Sequence, residues 1–416
     1  MWSWLGACTD VETMCAAPLA AWPPRPSTVE PSDPVSVAEV LARDLEATAV
    51  ERDRRAGTPK RERDLLRASG LLHLVVPRPL GGHGADWATT LRVVRTIAGA
   101  DGSLGHVFGF QHLLLATVRL FGTSAQFERF ARATVEQRLF WGNALNPLDR
   151  RATIARRAEE RVLRGEKSFC SGSRDADILV VSALDEETDK LVVAVLPGDR
   201  EGVLVRDDWD AFGQRQTDSG SVVFDEVRVL EREVLSEPGP LGSTFATLRP
   251  LVAQLTLANV YLGIAEGAFE AARAGARRRG HAWFTSGVEQ AVDEPYVQQT
   301  IGDLYAEVVA ARFAADGAAE ALDQVWSRAD DLTLSERGGA AVAIAAAKVT
   351  TTRVALDVTT RLFDATGARG AAGPLGLDRF WRNARTHTLH DPVDYKRRDL
   401  GRWLLTDEWP TPSFYS

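Results

Sequence analysis

Residues 177–197, "DILVVSALDEETDKLVVAVLP", decide the fold class of this chain. The segment contains two short runs of β-branched and other apolar residues, and the polar stretch "DEETD" separates them. This is the pattern of a β-hairpin. A third run of the same kind, "GSVVFDEVRVL", follows at residues 220–230. The sequence therefore predicts a central β domain, which we place at residues 141–238.

Helical patterns come before this β segment. Val37, Val40, Leu41 and Leu45 are spaced so that they fall on one face of a helix. A Pro- and Gly-rich loop at residues 77–87 interrupts the pattern, and two further helices are expected after it. Residues 34–140 are thus predicted to form an N-terminal helical domain.

Long Ala-rich helical stretches follow the β segment. Thr333 and Glu336 have the spacing of a capping box at the start of the last of them. Together with the helix that holds His387, these stretches predict an up-and-down four-helix bundle at residues 239–405. The expected class is α+β, mainly α, with a short tail at residues 406–416.

Composition limits the partners and the location of the protein. The net charge of −8 and the pI near 5.5 argue against nucleic acid or an anionic membrane as a partner. Three cysteines are too few for a disulfide framework or a four-cysteine zinc site, which favours a reducing compartment. Residues 1–33 lack a positive charge before Arg25, so we expect a flexible extension rather than a secretory signal, and a cytoplasmic protein. No continuous apolar run approaches the roughly 18 residues of a membrane span.

Two polar segments are candidates for ligand contacts. Residues 166–177, "EKSFCSGSRDAD", predict a turn rich in hydroxyl groups, and Cys170 has no neighbouring base that would make it a nucleophile. Residues 214–224, "QRQTDSGSVVF", predict a solvated loop that opens a strand. The glycine-rich loop at residues 367–376 lacks the spacing of a dinucleotide fingerprint, although Arg369 within it suits a phosphate.

The seven histidines include two near the end of the chain, within "RTHTLHDPVDYK". His387 and His390 are one helical turn apart. A metal pair would need carboxylate partners on neighbouring helices, which the sequence does not offer, so no metal is predicted. A base or hydrogen-bond donor in a dry pocket is favoured instead. His106, in an apolar helix, fits either a buried core position or a catalytic one.

Eight segments, taken in order, resemble the flavin-dependent (FMNH2) monooxygenases of the acyl-CoA dehydrogenase fold, the branch that includes methanesulfinate and dibenzothiophene monooxygenases. They are "ADGSLGHVFGF", "WGNALNPLD", "KSFCSG", "DDWDAFGQRQTDSGS", "ANVYLGIAEGA", "GARG", "WRNARTHTLHDPVDYK" and "PTPSFYS". The resemblance covers residues 34–416. It implies an acyl-CoA dehydrogenase-like fold and a homotetramer. It also implies reduced FMN from a separate NAD(P)H:FMN reductase, O2 as co-substrate, and oxidation of an organosulfur compound through a flavin C4a-hydroperoxide.

The resemblance also implies roles for individual residues. His390 would contact the flavin and help to form or protonate the peroxide, Ser171 would lie near flavin N5, and His106 and Asn143 would act in the same pocket. His106, Phe110 and His387 would line the substrate pocket. FMN contacts are implied for Phe110, Asn143, Ala144, Leu145, Asn146, Pro147, Leu148, Lys167, Ser168, Phe169, Cys170, Ser171, Trp209, His281, Ala368, Arg369 and His390. Of these, Ala368 and Arg369 would reach the phosphate across a subunit boundary.

Several positions depart from the family pattern. His281 stands where an arginine usually binds phosphate, and Arg279 is a possible substitute. Phe110 stands where the dibenzothiophene enzymes have tyrosine. The short segment after Asn143 favours a small alkylsulfinate such as methanesulfinate, whereas His387 favours a dibenzothiophene-type sulfide.

Other functions stay open at this point. The carboxylate base of the true dehydrogenases is replaced by His-Asp-Pro in this chain, which disfavours an acyl-CoA dehydrogenase-like oxidoreductase. An N- or C-hydroxylating flavin monooxygenase of an aromatic metabolite remains an alternative. A flavin-binding protein without catalytic activity is the third.

Overall fold

A computed structural model describes residues 33–157 and 160–416. The predicted N-terminal extension lies outside these residues except for Asp33, and so do Cys8 and Cys15. Asp33 caps the first helix, since its carboxylate accepts a hydrogen bond from the backbone N–H of Ser36 at 3.0 Å.

The N-terminal region is helical. On the first helix, Leu41 and Leu45 are buried as predicted, but Val40 is 55% exposed. Val40 was predicted to share the face of Leu41 and Leu45. That prediction was wrong, because the buried face of this helix runs through Ala38, Leu41 and Leu45 and leaves Val40 on its exposed side. The five helices are α1 Pro34–Arg55, α2 Lys60–Ala68, α3 Trp87–Ala100, α4 Gly102–Phe121 and α5 Ser124–Gln137.

Asp101 separates α3 from α4 and fixes where α4 begins. Its carboxylate accepts hydrogen bonds from the backbone N–H groups of Ser103 and Leu104, at 2.9 and 3.0 Å. The same carboxylate pairs with the buried guanidinium of Arg52 at 2.5 Å. The start of α4, and with it His106 one turn later, is therefore held by interactions on both sides.

The central region is one seven-stranded sheet. Its strands are β1 Trp141–Ala144, β2 Thr153–Arg157, β3 Glu160–Lys167, β4 Ile178–Asp185, β5 Leu191–Pro197, β6 Val203–Val205 and β7 Val222–Val229. The predicted hairpin is confirmed, since β4 and β5 pair antiparallel along their whole length. β1 runs parallel to β4 on its other edge, which places the end of β1 beside the helices.

Three long helices dominate the C-terminal region, followed by two shorter ones. They are α6 Leu248–Arg278, α7 Pro295–Arg328, α8 Leu334–Thr366, α9 Asp378–His387 and α10 Asp394–Thr406. The predicted capping box of α8 is confirmed at Thr333 and Glu336. α6 packs against α7 and α8 and also against α3 and α4, so it joins the two helical regions. His387 ends α9, and His390 lies in the break before α10.

Three helices, α4, α6 and α8, are long and apolar enough to cross a membrane by length and composition alone. No candidate membrane span was expected from the sequence, because only continuous apolar runs were considered. Most of the apolar window of α4 and α6 is buried inside the protein, 94% and 83%, whereas only 56% of the window of α8 is buried. Part of the α8 surface is therefore open.

Candidate active site

A cavity of about 550 Å³ lies where α4, the end of β1, the loop after β3, α6 and the end of α9 meet. The segment before β7 and the last residues of the chain close it. Eleven of the predicted site residues line this cavity: His106, Phe110, Asn143, Leu145, Asn146, Pro147, Phe169, Ser171, Trp209, His387 and His390. Residues far apart in sequence thus meet at one site.

Side chains alternate between the two sides of an extended chain, which explains why some predicted residues next to cavity residues do not line the cavity themselves. Asn143 and Leu145 face the cavity, while Ala144 between them packs into the core of the sheet. Cys170 likewise lies in the sheet core, between two residues that line the cavity. Burial raises the pKa of the Cys170 thiol to about 12, so it is not a nucleophile near neutral pH. The side chains of Ala144 and Cys170 do not line the cavity, and the FMN contacts predicted for these residues stay predictions.

Three other residues with predicted FMN contacts, Lys167, Ser168 and Leu148, do not line the cavity, and those contacts stay predictions. Lys167 is buried, and its ammonium donates to the backbone carbonyl of Asn146 at 2.7 Å and to that of Asp149. The backbone N–H of Ser168 donates to the Asp149 carboxylate, and Leu148 is 74% exposed. These contacts fix the turn that carries Asn146 into the cavity wall.

A chain of hydrogen-bonded hydroxyl groups begins at His106, one of two buried histidines of α4. His106 Nε2 lies 2.9 Å from Ser171 Oγ, which lies 2.8 Å from Ser219 Oγ. Ser219 Oγ in turn lies 2.7 Å from Thr217 Oγ1, which donates to the backbone carbonyl of Gln214. Because each hydroxyl has one proton and Thr217 donates its own to a carbonyl, the direction of the chain is fixed. Ser219 donates to Thr217, Ser171 donates to Ser219, and Ser171 Oγ accepts from His106 Nε2–H.

His106 is neutral near neutral pH. Burial lowers the pKa of its imidazole to about 3, and the neighbouring His390 acts in the same direction. Its ring packs 4.2 Å from the Phe110 ring and 4.4 Å from the His387 ring, between centroids. A neutral imidazole bonded to Ser171 is a hydrogen-bonding group and not a charged one.

His387 is a buried imidazole whose two ring nitrogens have no hydrogen-bond partner among the described residues. Burial lowers its pKa well below the usual value, with His106 and His390 acting in the same direction. Its backbone carbonyl accepts a hydrogen bond from the Tyr261 hydroxyl at 2.9 Å. The position of His387 is therefore fixed, while its ring nitrogens are available to a ligand in the cavity.

His390, whose side chain is 37% exposed, is oriented by a buried ion pair between Lys348 and Asp391. Its Nδ1 lies 3.0 Å from an Asp391 carboxylate oxygen, and the buried Lys348 ammonium lies 3.4 Å from the same oxygen. Burial acts to raise the pKa of Asp391, but the His390 hydrogen bond and the Lys348 charge outweigh it and hold that pKa below its usual range. The anionic carboxylate orients the ring so that Nε2 is the free nitrogen.

The tract at residues 214–219 was predicted to be solvated, and that prediction was wrong. Gln214, Thr217 and Ser219 are buried and line the cavity. Asp218 is buried as well, because its carboxylate pairs with the Arg63 guanidinium of α2 at 2.7 Å. The partner lies about 150 residues away in sequence, so no local pattern could show it.

Further cavity residues were missed, among them Arg249, Gln254, Phe414 and Tyr415. The available signal for Arg249 was a single charge at the start of the apolar stretch "RPLVAQLTLANVYLG". The signal for the last two was the resemblance of "PTPSFYS", which was noted without a role.

The predicted phosphate contacts lie elsewhere in the chain. His281, Ala368 and Arg369 are exposed and do not line the cavity. Arg279, at the end of α6, lies beside Gly367 at the end of α8. The residues suited to a phosphate are thus grouped apart from the cavity of their own chain, and their role as a cross-subunit phosphate site stays a prediction.

Comparison with known proteins gives the family. The sequence matches the three domains of acyl-CoA dehydrogenases: the N-terminal domain at residues 35–138, the middle domain at 145–227 and the C-terminal domain at 255–395. The chain therefore has the acyl-CoA dehydrogenase fold, as the sequence predicted.

Its relatives narrow the class. The chain is 49% identical to a probable FMNH2-dependent monooxygenase, SfnC of Pseudomonas putida, over 95% of this chain and 98% of that protein. The structure of methanesulfinate monooxygenase MsuC from Pseudomonas fluorescens superimposes with a TM-score of 0.91 at 48% identity, covering 94% of this chain and 100% of that one. FMN-bound TdsC from Paenibacillus gives 0.88 at 42% identity, covering 92% and 100%. The chain belongs to the FMNH2-dependent monooxygenases of the acyl-CoA dehydrogenase fold.

The cavity fits the isoalloxazine of FMN. Phe169, 63% exposed, and Trp209 stand edge to face at 6.2 Å and offer aromatic surface to a planar ring. Gln214 Oε1 and the His387 nitrogens are buried polar atoms without partners among the described residues, and both side chains line the cavity. Phe169 and Gln214 have positive φ angles of 58° and 53°, a conformation that is costly for non-glycine residues and that the surrounding contacts must hold in place. We expect Asn143, Asn146, Phe169, Ser171 and Trp209 to hold the ring.

Replacing Ser171 with alanine is expected to lower kcat/KM about tenfold, since the change removes one hydrogen bond from His106 and one from Ser219. Steady-state turnover and a titration with reduced FMN would measure the effect. Ser173→Ala is the matched control, because Ser173 is buried two residues away and its hydroxyl has no partner among the described residues. Equal losses in both variants would contradict a specific role for Ser171.

Proposed function

We propose that this chain is the oxygenase component of a two-component system that uses reduced FMN and O2 to oxidise a small organosulfur compound. The observation that carries the proposal is the cavity itself. It brings His106, Ser171, His387 and His390 together, and none of the described residues that line it is an aspartate or a glutamate. The names of the relatives support sulfur compounds as substrates.

The missing carboxylate argues against a dehydrogenase. Removing a proton next to an acyl thioester needs a carboxylate base in the cavity. Asp391, next to the cavity residue His390, does not itself line the cavity, and Lys348 and His390 both contact its carboxylate. The imidazole of His390, and not a carboxylate, lines the cavity at this point of the chain.

When bound, reduced FMN supplies the electrons that activate O2. The residues of this chain then have three tasks. His390 presents Nε2 as a proton donor or acceptor, because Asp391 holds Nδ1. His106 and Ser219 fix the Ser171 hydroxyl, whose remaining lone pair would accept a hydrogen bond from a flavin ring N–H. Phe110, Leu113 and Phe414 form apolar walls that exclude water from the reaction.

A small alkylsulfinate is the favoured substrate, with a dibenzothiophene-type sulfide as the second candidate. The turn after β1 is short and is held inward by Lys167. This arrangement leaves a compact wall at Asn146 and Pro147 rather than a long lid. The methanesulfinate activity of one structural relative agrees with this preference.

We propose three further features of the working enzyme. A separate NAD(P)H:FMN reductase supplies FMNH2, because the sequence lacks a dinucleotide fingerprint. The protein is a homotetramer: Tyr305, Phe313 and Leu334 are exposed apolar side chains on α7 and α8, and the predicted phosphate residues need a second subunit. It works in the cytoplasm, as its acidic composition and few cysteines suggest.

An oxygenation assay tests the function. The purified chain is supplied with FMN, a flavin reductase and NADH in air, and products from methanesulfinate and dibenzothiophene are measured by mass spectrometry. We expect methanesulfonate from the first substrate. If neither class gives an oxygenated product, the organosulfur proposal fails. Products from aromatic amines or phenols would then favour the hydroxylase alternative, and tight FMNH2 binding without any product would favour a non-catalytic flavoprotein.

A further inference from the structure

Arg249 is a buried cation that faces the cavity without a carboxylate partner. It is the second residue of α6 and is 6% exposed. Its Nε donates to Thr117 Oγ1 at 3.3 Å, and it forms no ion pair with any residue between 33 and 157 or between 160 and 416. Two other buried arginines have carboxylate partners, since Arg52 pairs with Asp101 and Arg63 pairs with Asp218. Buried Arg337 has none, but its guanidinium donates to the backbone carbonyls of Pro410, Thr247 and Ser416.

An unpaired buried charge is unfavourable, so its presence needs a reason. Burial lowers the pKa of the Arg249 guanidinium to about 10, with Tyr415 acting in the opposite direction. The side chain therefore remains a cation at neutral pH. A guanidinium in a cavity, with donors that no described residue uses, is suited to an anionic ligand.

The cavity offers no other formal charge for such a ligand to meet. Among the described residues that line it, Arg249 is the only lysine, arginine, aspartate or glutamate. Burial keeps His106 and His387 uncharged near neutral pH. An anion entering the cavity would find one positive site and no fixed negative one.

Arg249 lies in the same compartment as the proposed catalytic histidine. His106, Phe110 and Leu113 line the cavity along one face of α4, and Thr117, the partner of Arg249, continues that face by one turn. Tyr415 interacts electrostatically with Arg249, and its ring centroid is 6.4 Å from that of His390. The residues expected to hold the flavin ring come from the β strands and their loops, whereas Arg249 comes from helix α6.

We propose that Arg249 binds the oxyanion of an anionic organosulfur substrate, of the alkanesulfinate class, and selects it over neutral sulfur compounds. This inference rests on the proposed function. The planar guanidinium offers two parallel N–H donors, which match the two oxygens of a sulfinate. With both oxygens bound, the sulfur lone pair remains free to be oxidised. A neutral thiophene gains nothing from this contact and leaves the cation unpaired.

Three variants test the inference. Arg249→Met keeps a long side chain but removes its charge. Arg249→Lys keeps the charge but removes the two parallel N–H donors of the guanidinium. Arg119→Met is the matched control: Arg119 lies on α4 over the Phe245 ring and does not line the cavity. Calorimetry with methanesulfinate on the FMN-loaded protein measures binding. Parallel assays compare kcat/KM for methanesulfinate and dibenzothiophene, and melting curves confirm folding.

We expect Arg249→Met to weaken methanesulfinate binding at least about 30-fold, with a smaller loss for Arg249→Lys. Dibenzothiophene turnover, FMNH2 affinity and the Arg119→Met variant should stay near wild-type values. Three results would overturn the inference: unchanged sulfinate binding in Arg249→Met, an equal loss for the neutral substrate, or an equal loss of FMNH2 affinity, which would make Arg249 a flavin contact.

The inference and the proposed function fail in different ways. A wild-type protein that binds methanesulfinate through Arg249 but oxidises no sulfur compound would refute the function and leave the anion site standing. A wild-type protein that oxidises dibenzothiophene but binds no sulfinate would refute the anion site and leave the monooxygenase function standing.

Discussion

Replacing His390 with phenylalanine is expected to lower turnover by at least about 100-fold while the protein stays folded. The change removes the imidazole that lines the cavity with a free Nε2, and with it a proton donor or acceptor beside the reaction. Phenylalanine has a similar shape, and Asp391 keeps its ion pair with Lys348. The loss should therefore appear in kcat more than in stability.

Single-turnover kinetics would separate this effect from flavin binding. FMNH2 affinity and the melting temperature are expected to change little in His390→Phe, whereas the rate of product formation falls. His83→Phe is a suitable control, because His83 is a partly buried histidine outside the cavity that contacts the Gly70 carbonyl. Wild-type turnover in His390→Phe, or a comparable loss in His83→Phe, would refute the role proposed for His390.

The interior ion pair explains why His390 can act at a fixed position although it lies beyond the end of α9. Burial lowers the pKa of Lys348 to about 8, although Asp391 acts to raise it, so the pair is charged at neutral pH. Lys348 also lies over the Tyr261 ring, and the Tyr261 hydroxyl holds the His387 carbonyl. One buried cluster thus orients both histidines of the "HTLH" segment.

Local sequence patterns predicted most of the fold, because periodicity and turns are local properties. The hairpin at β4 and β5 and the capping box at Thr333 follow from neighbouring residues alone. Val40 was misplaced because several helical faces fit the same apolar pattern, and packing against α3 selects one of them. Single-residue burial on an amphipathic helix needs tertiary information.

Local sequence patterns predicted less of the candidate site than of the fold. The resemblance gave His106, Ser171 and His390 together, which no spacing could have done, since these residues come from three regions of the chain. It also grouped Cys170 with its neighbours, although alternation turns its side chain into the sheet core. Arg249 escaped notice because an arginine at the start of a helix looks solvated until the helix is packed.

Acidification is expected to destabilise the protein steeply below pH 6.5, through histidines that are buried in the neutral form. Burial lowers the pKa of His106 and of His112 to about 3, and that of His387 well below its usual value. In the unfolded chain each imidazole binds a proton near pH 6.5. Below that pH the unfolded state holds more protons than the folded state, so the free energy of unfolding falls as pH falls.

The expected size of this effect is large. Each histidine contributes about 1.4 kcal/mol per pH unit below its unfolded pKa, so three of them give a loss of about 4 kcal/mol between pH 7.5 and 5.5. For His106 and His112 the loss continues until the pH reaches their folded values of about 3. Two other buried groups change little in this window: Lys348, with a pKa of about 8, stays mostly protonated, and the pKa of Asp391 is below its usual range.

Urea unfolding at a fixed protein concentration and at several pH values between 5.5 and 7.5 would measure the slope directly. His112→Phe supplies the internal standard. His112 is buried on α4 away from the cavity, packs 4.8 Å from the Phe108 ring, and has no hydrogen-bond partner among the described residues. Its removal should reduce the number of protons taken up on unfolding by about one near pH 5.5. A slope unchanged by His112→Phe, or one that corresponds to less than one proton in the wild type, would show that these imidazoles are not buried in the neutral form.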